Sequence, residues 1–563
     1  MAAIHPVLAR VYSSRGIVDP KDLELQTKHL LPPALLLNAD RAATLLADHL
    51  AAASRIVIIG DFDADGATST ALVVTALKAF GASHVDYLVP NRFEFGYGMT
   101  PEIVAVALRD NPDLIVTVDN GISSCEGVEM ARAAGVATLI TDHHLAGDDL
   151  PKADVIVNPN QPGCDFPSKN LAGVGVIFYV MLALRAELRS RGWFDNTSSR
   201  AEPKLAQLLD LVALGTVADV VPLDLNNRIL VAQGLARIRS GSARPGIAAI
   251  LQVASKNYRN VVASDLGFAV GPRLNAAGRL DDMSVGIECL LSEQSSHASA
   301  LAAQLHQLNL DRRLIEEDMQ RDALKALAAI DLHENTAAPV ALTLYEAAWH
   351  QGVIGILASR VKERMHRPTI VFADGDSGQI KGSARSISGV HIRDVLAAID
   401  ARYPGLILKF GGHAMAAGLT LMRESFEQFS KLLLEEVSRH VDDVNLQAVI
   451  ESDGELHAAD LDLGLATELR FAGPWGQHFA EPIFDGRFKL MQQRLVADKH
   501  LKLVLGSPSG DKLLDAIAFN IDLTVWPDET IEWVDLAYRL DVNEFRGNVT
   551  LQLMVEQIAV ATD

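Results

Sequence analysis

The stretch "IVIIGDFDADGATST", Ile56 to Thr70, sets Asp61, Asp63 and Asp65 within five positions, with Gly66 directly behind them. Carboxylates this close repel one another, so a cation belongs among them. A calcium loop of the EF-hand type needs an entering helix and a bidentate glutamate at its twelfth position. Here the twelfth position is Leu72, and "RIVIIG" before the acids is a short β-branched run that reads as a buried strand. The acids therefore stand at the carboxyl end of a strand.

Outward from this stretch, strand-like runs alternate with Ala-rich helical ones. The strands are "RIVIIG", "HVDYLVP", "DLIVTV", "VATLIT" and "ADVIVN"; Thr100 and Ser123 or Ser124 are placed to cap intervening helices. The alternation predicts an α/β fold with a parallel sheet, in which ligands gather beyond the carboxyl ends of the strands. Each predicted strand ends in polar or metal-capable residues: the acid triplet, Asn91-Arg92, Asp119-Asn120, Asp142-His143-His144 and Asn158. One polar end is ordinary turn chemistry, but five on one edge point to a site.

Further along, a helical region runs to about 290, and residues 291–335 form a long helical pattern with no Gly or Pro inside. A second, smaller α/β unit covers 336–442. Residues 445–563 change to short strands with turns such as "SPSGD", which predicts an all-β domain, a five-stranded barrel of OB type. Residues 1–50 form an N-terminal segment and 51–290 the sheet-bearing domain.

Composition narrows the function classes. A net charge of −21 speaks against a nonspecific coat of nucleic acid, though not against a local basic channel. Cys125, Cys164 and Cys289 lie far apart without a CxxC pair, which fits a reducing cytoplasm and argues against a zinc ribbon. The start carries no basic region followed by an apolar run, and "GVGVIFYVMLAL" is too short to span a bilayer, so no membrane is expected. There is no P-loop, intact GxGxxG or G-x-S-x-G elbow. Carboxylates with one or two imidazoles and no thiolate suit Mn2+ or Mg2+. The acids are too many for one ion, and Asp119 on the third strand is placed to bridge two. Two such ions activate water and stabilise an in-line displacement at phosphorus.

In order along the chain, "GDFDADG", "VTVDNGIS", "TDHH" and "GTVADVVPL" resemble the four motifs of the DHH phosphoesterase superfamily. "FEFGYGM", "GPRLNAAGRL", "HQGVIGILASR", "GSARS", "KFGGHAMAAG" and "DVNEFRGN" resemble features of its single-strand-specific exonuclease branch. The resemblance implies a DHH catalytic domain over 51–290, a connecting helix, a DHH-associated substrate-binding domain over 336–442 and a nucleic-acid-binding OB-like domain. It implies two divalent ions held by Asp63, Asp65, Asp119, His143 and Asp219, with Asp61 beside them. His144 would face the scissile phosphate, and Asp142 would orient the histidines. Many superfamily members carry a histidine where this chain has Ile59, so one metal should have more water among its ligands.

For the substrate, the resemblance implies that Ser383, Arg385 and Arg92 hold a terminal 5′-phosphate. Asn275, Arg279, His350, Gly411, Gly412 and His413 would line the strand's path. Arg273, Arg364, Arg367, Lys381 and Lys409, with Lys499, Lys502, Phe545 and Arg546 of the last domain, are the further candidates for a positive track. His84 and His391 are expected to stand outside the site. The implied activity is 5′→3′ degradation of single-stranded DNA to mononucleotides by a cytoplasmic monomer. Single-strand-binding protein and a RecQ-type helicase are the expected partners. The alternatives are a phosphodiesterase for short oligoribonucleotides or cyclic dinucleotides, and a non-enzyme that has lost its ligands; the intact acids argue against the latter. Deleting 445–563 is expected to cost processivity while leaving short strands cleavable.

Overall fold

The computed structural model describes residues 4–91, 98–147, 149–195, 200–331, 339–441, 446–507, 510, 512–523, 525–545 and 547–561. Five strands open the fold: β1 (Arg55–Ile59), β2 (His84–Leu88), β3 (Leu114–Val118), β4 (Ala137–Thr141) and β5 (Val155–Val157). They pair in the order β2-β1-β3-β4-β5, every pair parallel. β3 is buried throughout and β1 after its first residue. Val57, Ile59 and Ile115 pack with Ile103 and Val104 of one helix and Val128 and Ala131 of another. Strands buried this way read as unbroken apolar runs rather than alternating ones.

The strand order places a topological switch between β1 and β3. The crevice beyond the carboxyl ends at such a point is where open α/β sheets hold ligands. Asp61 follows β1 by two residues and Asp119 follows β3 directly. The helix Ala64–Phe80 starts on Asp63, whose carboxylate accepts the N–H groups of Asp65 (2.9 Å) and Gly66 (3.0 Å). It ends at Gly81, whose φ of 101° is a left-handed cap that glycine adopts without strain.

Contacts divide the chain into two compact units. The first joins residues 1–278, 282–306 and 451–563; the second joins 279–281 and 307–450. The first unit also holds a closed barrel of β11 (Phe484–Val496), β12 (His500–Gly506), β13 (Leu513–Ala518), β14 (Trp533–Phe545) and β15 (Asn548–Val560), in the order β11-β12-β13-β15-β14. This is the five-stranded OB-type closure, with β13 and β15 parallel.

The segment leading into the barrel is anchored on the chain's start. The Tyr12 hydroxyl donates to the Ala472 carbonyl at 2.9 Å, and its ring stacks near Trp475 and Phe479. The Arg228 guanidinium lies 4.3 Å over the Phe479 ring, and the Leu223 N–H donates to the Gln477 carbonyl at 2.8 Å.

In the second unit β6 (Leu342–Tyr345), β7 (Thr369–Asp374), β8 (Gln379–Arg385), β9 (Ile407–Gly412) and β10 (Ala416–Met422) form a mixed sheet in the order β6-β7-β8-β10-β9. Phe372, Ile380, Leu396 and Phe429 are in its core. The helix Ser295–Asp331 runs 37 residues, assigned to the first unit through His306 and to the second from Gln307. Among the described residues no helix is long and apolar enough to cross a membrane.

Candidate metal centre and phosphate-binding group

Three strand ends and one helix end supply the centre. Beyond β1, Asp61 is buried and accepts the Phe62 N–H at 2.8 Å. Asp65 is buried in the first turn of the helix that Asp63 caps. Beyond β3, Asp119 is buried at φ 63°, a left-handed backbone that a non-glycine residue adopts only when its surroundings hold it there. Beyond β4 come Asp142, His143 and His144, and Asp219 closes the helix Leu209–Ala218.

These residues, far apart in sequence, meet. His143 Nε2 lies 3.2 Å from Asp119 Oδ1 and 3.5 Å from Asp219 Oδ2. Three groups each bring ligand atoms within 4.8 Å: Asp119 with His143 and His144; Asp65 with His143 and Asp219; Asp61 with Asp63 and Asp119. Asp119 and His143 each belong to two of them. Overlap of this kind is what two neighbouring cations with a shared carboxylate require.

The electrostatics show a cluster built for positive charge. Burial, then the charge of Asp219, pushes the Asp65 carboxyl up to about 7. Burial and then Asp63 push Asp219 up to about 8. Burial, with Asp65, Asp63 and Asp61 around it, holds Asp119 well above the usual range. Burial, then the neighbouring His144, lowers His143, which keeps its imidazole neutral. Its buried Nε2 makes no hydrogen bond, and a neutral nitrogen beside carboxylates without thiolate is a donor set that fits Mn2+ or Mg2+.

Asp142 is the hub behind the histidines. Its Oδ1 accepts from the His143 N–H (2.7 Å), the His144 N–H (3.1 Å) and His144 Nδ1 (2.7 Å), and its Oδ2 from the Ile122 N–H (2.8 Å). Burial works against a charged His144, but the Asp142 hydrogen bond and charge outweigh it and hold its pKa at about 9. His144 therefore stands as a positively charged donor near neutral pH.

Several residues of this frame carried no signal for their role. Asn158 Nδ2 donates to the His144 carbonyl (2.9 Å) and Asn160 Nδ2 to the His143 carbonyl (2.6 Å), fixing the backbone of both histidines. Asn120 Nδ2 donates to the carbonyls of Ile59 and Val118, tying the ends of β1 and β3 together. Strand-end asparagines are visible in a sequence, but which carbonyl each holds is not. Asn275 belongs to the first unit, and its Oδ1 accepts the Ala64 N–H at 2.7 Å, between Asp63 and Asp65.

The second unit holds its own group. Arg385 donates to Ser383 Oγ at 3.1 Å and to the Ala384 carbonyl at 2.8 Å, and burial lowers its pKa. A Cβ on Gly355, in the first turn of the helix Ile354–Met365, would lie 3.0 Å from both Arg385 Nη2 and Ser383 Oγ. A guanidinium, a hydroxyl and a helix N-terminus thus stand together, each suited to an anion. Arg279 donates to the Gly352 carbonyl at 2.9 Å, and His350 Nδ1 accepts the Gly352 N–H at 3.1 Å. Gly411 and Gly412 end β9, opposite Gly418 and Ala417, and the His413 N–H donates to the Ala416 carbonyl.

Other expectations fare unevenly. Arg92 and Arg546 lie outside the described residues, as does the Phe545 side chain. Arg367 donates to the carbonyls of His366 and Leu446, and Arg273 to the Ala269 carbonyl and to His306 Nδ1. His84 is exposed on β2, and His391 caps the helix Ile392–Arg402.

Comparison with known proteins matches this arrangement. Residues 55–216 match the DHH family N-terminal domain, 337–439 the DHHA1 domain and 452–557 the RecJ OB domain. The chain is similar to the single-stranded-DNA-specific exonuclease RecJ of Salmonella typhimurium, 54% identical over 557 residues, covering 99% of this chain and 96% of that one. It is also similar to the crystal structure of RecJ in complex with Mn2+ from Thermus thermophilus, with TM-score 0.81, 28% identity, and coverage of 100% of this chain and 76% of that chain. The Mg2+ complex from the same organism gives TM-score 0.75 and 27% identity over 100% of this chain and 75% of that one.

Proposed function

The chain belongs to the RecJ family of single-stranded-DNA-specific exonucleases, and from that membership we propose how its residues degrade single-stranded DNA from the 5′ end to mononucleotides. The observation that carries the reading is the sharing of Asp119 and His143 between adjacent ligand groups. Asp63, Asp65, Asp119, His143 and Asp219 would hold two divalent cations, Mn2+ or Mg2+, with Asp61 beside them. When bound, such a pair activates water and stabilises the oxygens of an in-line displacement at phosphorus. Ile59 offers no ligand atom, so a cation held beside it would take more of its ligands from water.

The protein's own groups do the rest. His144, held charged by Asp142, donates to the scissile phosphate and stabilises the charge that builds there. Asn158 and Asn160 keep both histidines from shifting. Ser383 and Arg385 take the terminal 5′-phosphate, which sets the polarity. Arg279, His350, Gly411, Gly412 and His413 line the strand's path, and Asn275 steadies the acid loop. The barrel holds the single strand, as OB-type barrels do. Single-strand-binding protein and a RecQ-type helicase are the partners we expect of a cytoplasmic, monomeric enzyme acting on DNA. A phosphodiesterase for short oligoribonucleotides or cyclic dinucleotides is not favoured, because the match to the exonucleases runs through the barrel.

The test is digestion of single strands labelled at either end, with Mn2+ or Mg2+, against a blunt duplex. The expected result is mononucleotides released from the 5′ end and an intact duplex. Shortening from the 3′ end, or accumulation of oligonucleotide products, would overturn the reading.

A further inference from the structure

The helix Gly173–Ser190 begins without a side-chain cap of its own. The first N–H groups of a helix need acceptors, and here they find one carboxylate across the fold. The Gly173 N–H donates to Asp65 Oδ2 at 2.6 Å, and the Val174 N–H donates to Asp65 Oδ1 at 3.0 Å. Both oxygens of a buried acid are thus aimed by one helix end, whose partial positive charge suits a crowd of carboxylates.

The same residue borders the second acid. A Cβ on Gly173 would lie 2.5 Å from Asp119 Oδ1, 2.6 Å from its Cβ and 2.8 Å from its Cγ. Gly173 is not at positive φ, so the backbone there does not call for glycine; the space does. The overlap includes the Asp119 Cβ, which side-chain rotation does not move, so only a shift of backbone would relieve it. Gly215, four residues before Asp219, repeats the pattern: a Cβ there would lie 2.7 Å from Asp65 Oδ1 and 2.7 Å from Val174 Cγ1.

We propose that Gly173 is a positioning residue for the metal centre, fixing the spacing of Asp65 and Asp119 through its N–H and its missing side chain. The inference rests on the two-cation reading above and assigns to a residue outside all four motifs the distance between two of the ligands. Gly215 closes the same pocket from the side of Asp219.

The experiment titrates Mn2+ by calorimetry into metal-stripped full-length protein. It compares wild type, Gly173→Ala, Val174→Pro and Gly175→Ala, with circular dichroism and melting as the check on folding. Val174→Pro removes one donor to Asp65 in the first helical turn, and its ring carbon crowds the oxygen that accepted it, so it displaces Asp65 while adding no Cβ beside Asp119. Gly175→Ala presses on Leu171 in the same turn and touches neither acid. Gly173→Ala is expected to weaken Mn2+ binding by about 10- to 100-fold, and Val174→Pro severalfold. Gly175→Ala is expected to leave it unchanged. In Gly173→Ala the turnover number should fall while KM for a single strand holds. A folded Gly173→Ala protein with wild-type Mn2+ affinity overturns the proposal, and so does an equal loss in Gly175→Ala. Should Gly173→Ala not fold, wild-type affinity in Val174→Pro overturns it and weakened affinity supports it. Wild-type protein that binds no Mn2+ would instead sink the two-cation reading itself.

Discussion

Asp142 Oδ1 and His144 Nδ1 are 2.7 Å apart, and the same oxygen takes the backbone N–H of both histidines. The pair holds His144 charged up to about pH 9. Asp142→Asn keeps an acceptor for the backbone but removes the charge. His144 should then titrate near or below its ordinary range, and turnover at pH 8 should fall about 10- to 100-fold. The loss should shrink at pH 6, where the imidazole is protonated without help. A pH–rate profile reads this directly; an alkaline limb that does not move in the variant would remove His144 from the role of charged donor.

The clustered acids make the metal-free protein pH-sensitive. Asp65 and Asp219 hold protons to about pH 7 and about pH 8 when folded, whereas unfolded carboxyls release them near pH ~4. The folded state therefore binds more protons across that window, and its stability falls as pH rises from about 4 to about 8. His144, raised to about 9, adds a loss of the same sign above its ordinary value. Bound cations take the place of these protons. We expect the Tm in EDTA to drop steadily from pH 5.5 to 8.5 and Mn2+ to flatten the drop. Asp119→Asn should melt higher than wild type in EDTA yet lose turnover by several orders of magnitude. A Tm in EDTA that climbs over this range would contradict the assignment.

Arg385 faces the first turn of a helix across Gly355. Arg385→Ala should weaken binding of 5′-phosphorylated strands by roughly 2–3 kcal/mol, the size of a lost charge-assisted contact. Strands with a 5′-hydroxyl should lose much less. Binding titrations of the two substrates separate the cases, and an equal loss on both would make Arg385 a support of the fold.

Truncation should cost more than the sequence suggested. Every residue proposed as a metal ligand precedes Leu223, which led to the expectation that a chain without 445–563 still cuts short strands. But Tyr12, Leu223 and Arg228 meet residues 472–479. A chain ending at 450 should melt roughly 10 °C or more below the full chain. One ending at 482 keeps those contacts and should cut short strands while losing processivity on long ones. Equal melting of the 450-residue chain and the full protein would show that the segment braces nothing.

Asp61, Asp119 and Asp142 each follow a strand, and a strand that reads as a plain apolar run marks the polar residue behind it. Asp219 was legible as a carboxylate in an otherwise apolar helix. Gly173, Gly215, Asn160 and Asn275 act through space or through a carbonyl distant in sequence, so no spacing announces them. Arg273 and Arg367 read in the sequence only as basic residues; that Arg273 donates to the Ala269 carbonyl and Arg367 to those of His366 and Leu446 shows only in the fold. The barrel was legible as a fold; its membership of the same unit as the parallel sheet was not, because contacts such as those of Tyr12 with Trp475 and Phe479 join residues far apart in sequence.

The closing of the first unit by residues 451–563 sets the order in which a ribosome can finish the enzyme. The acids and histidines are translated early, and the second unit is a nearly continuous stretch that is whole once residue 450 has emerged. The partners of Tyr12 and Leu223 are among the later residues delivered. A message broken before that point yields a chain with every proposed ligand of the centre but without the later partners of Tyr12 and Leu223. The cell meets such a product as a client for chaperones and proteases, with its cutting residues present but their frame unfinished.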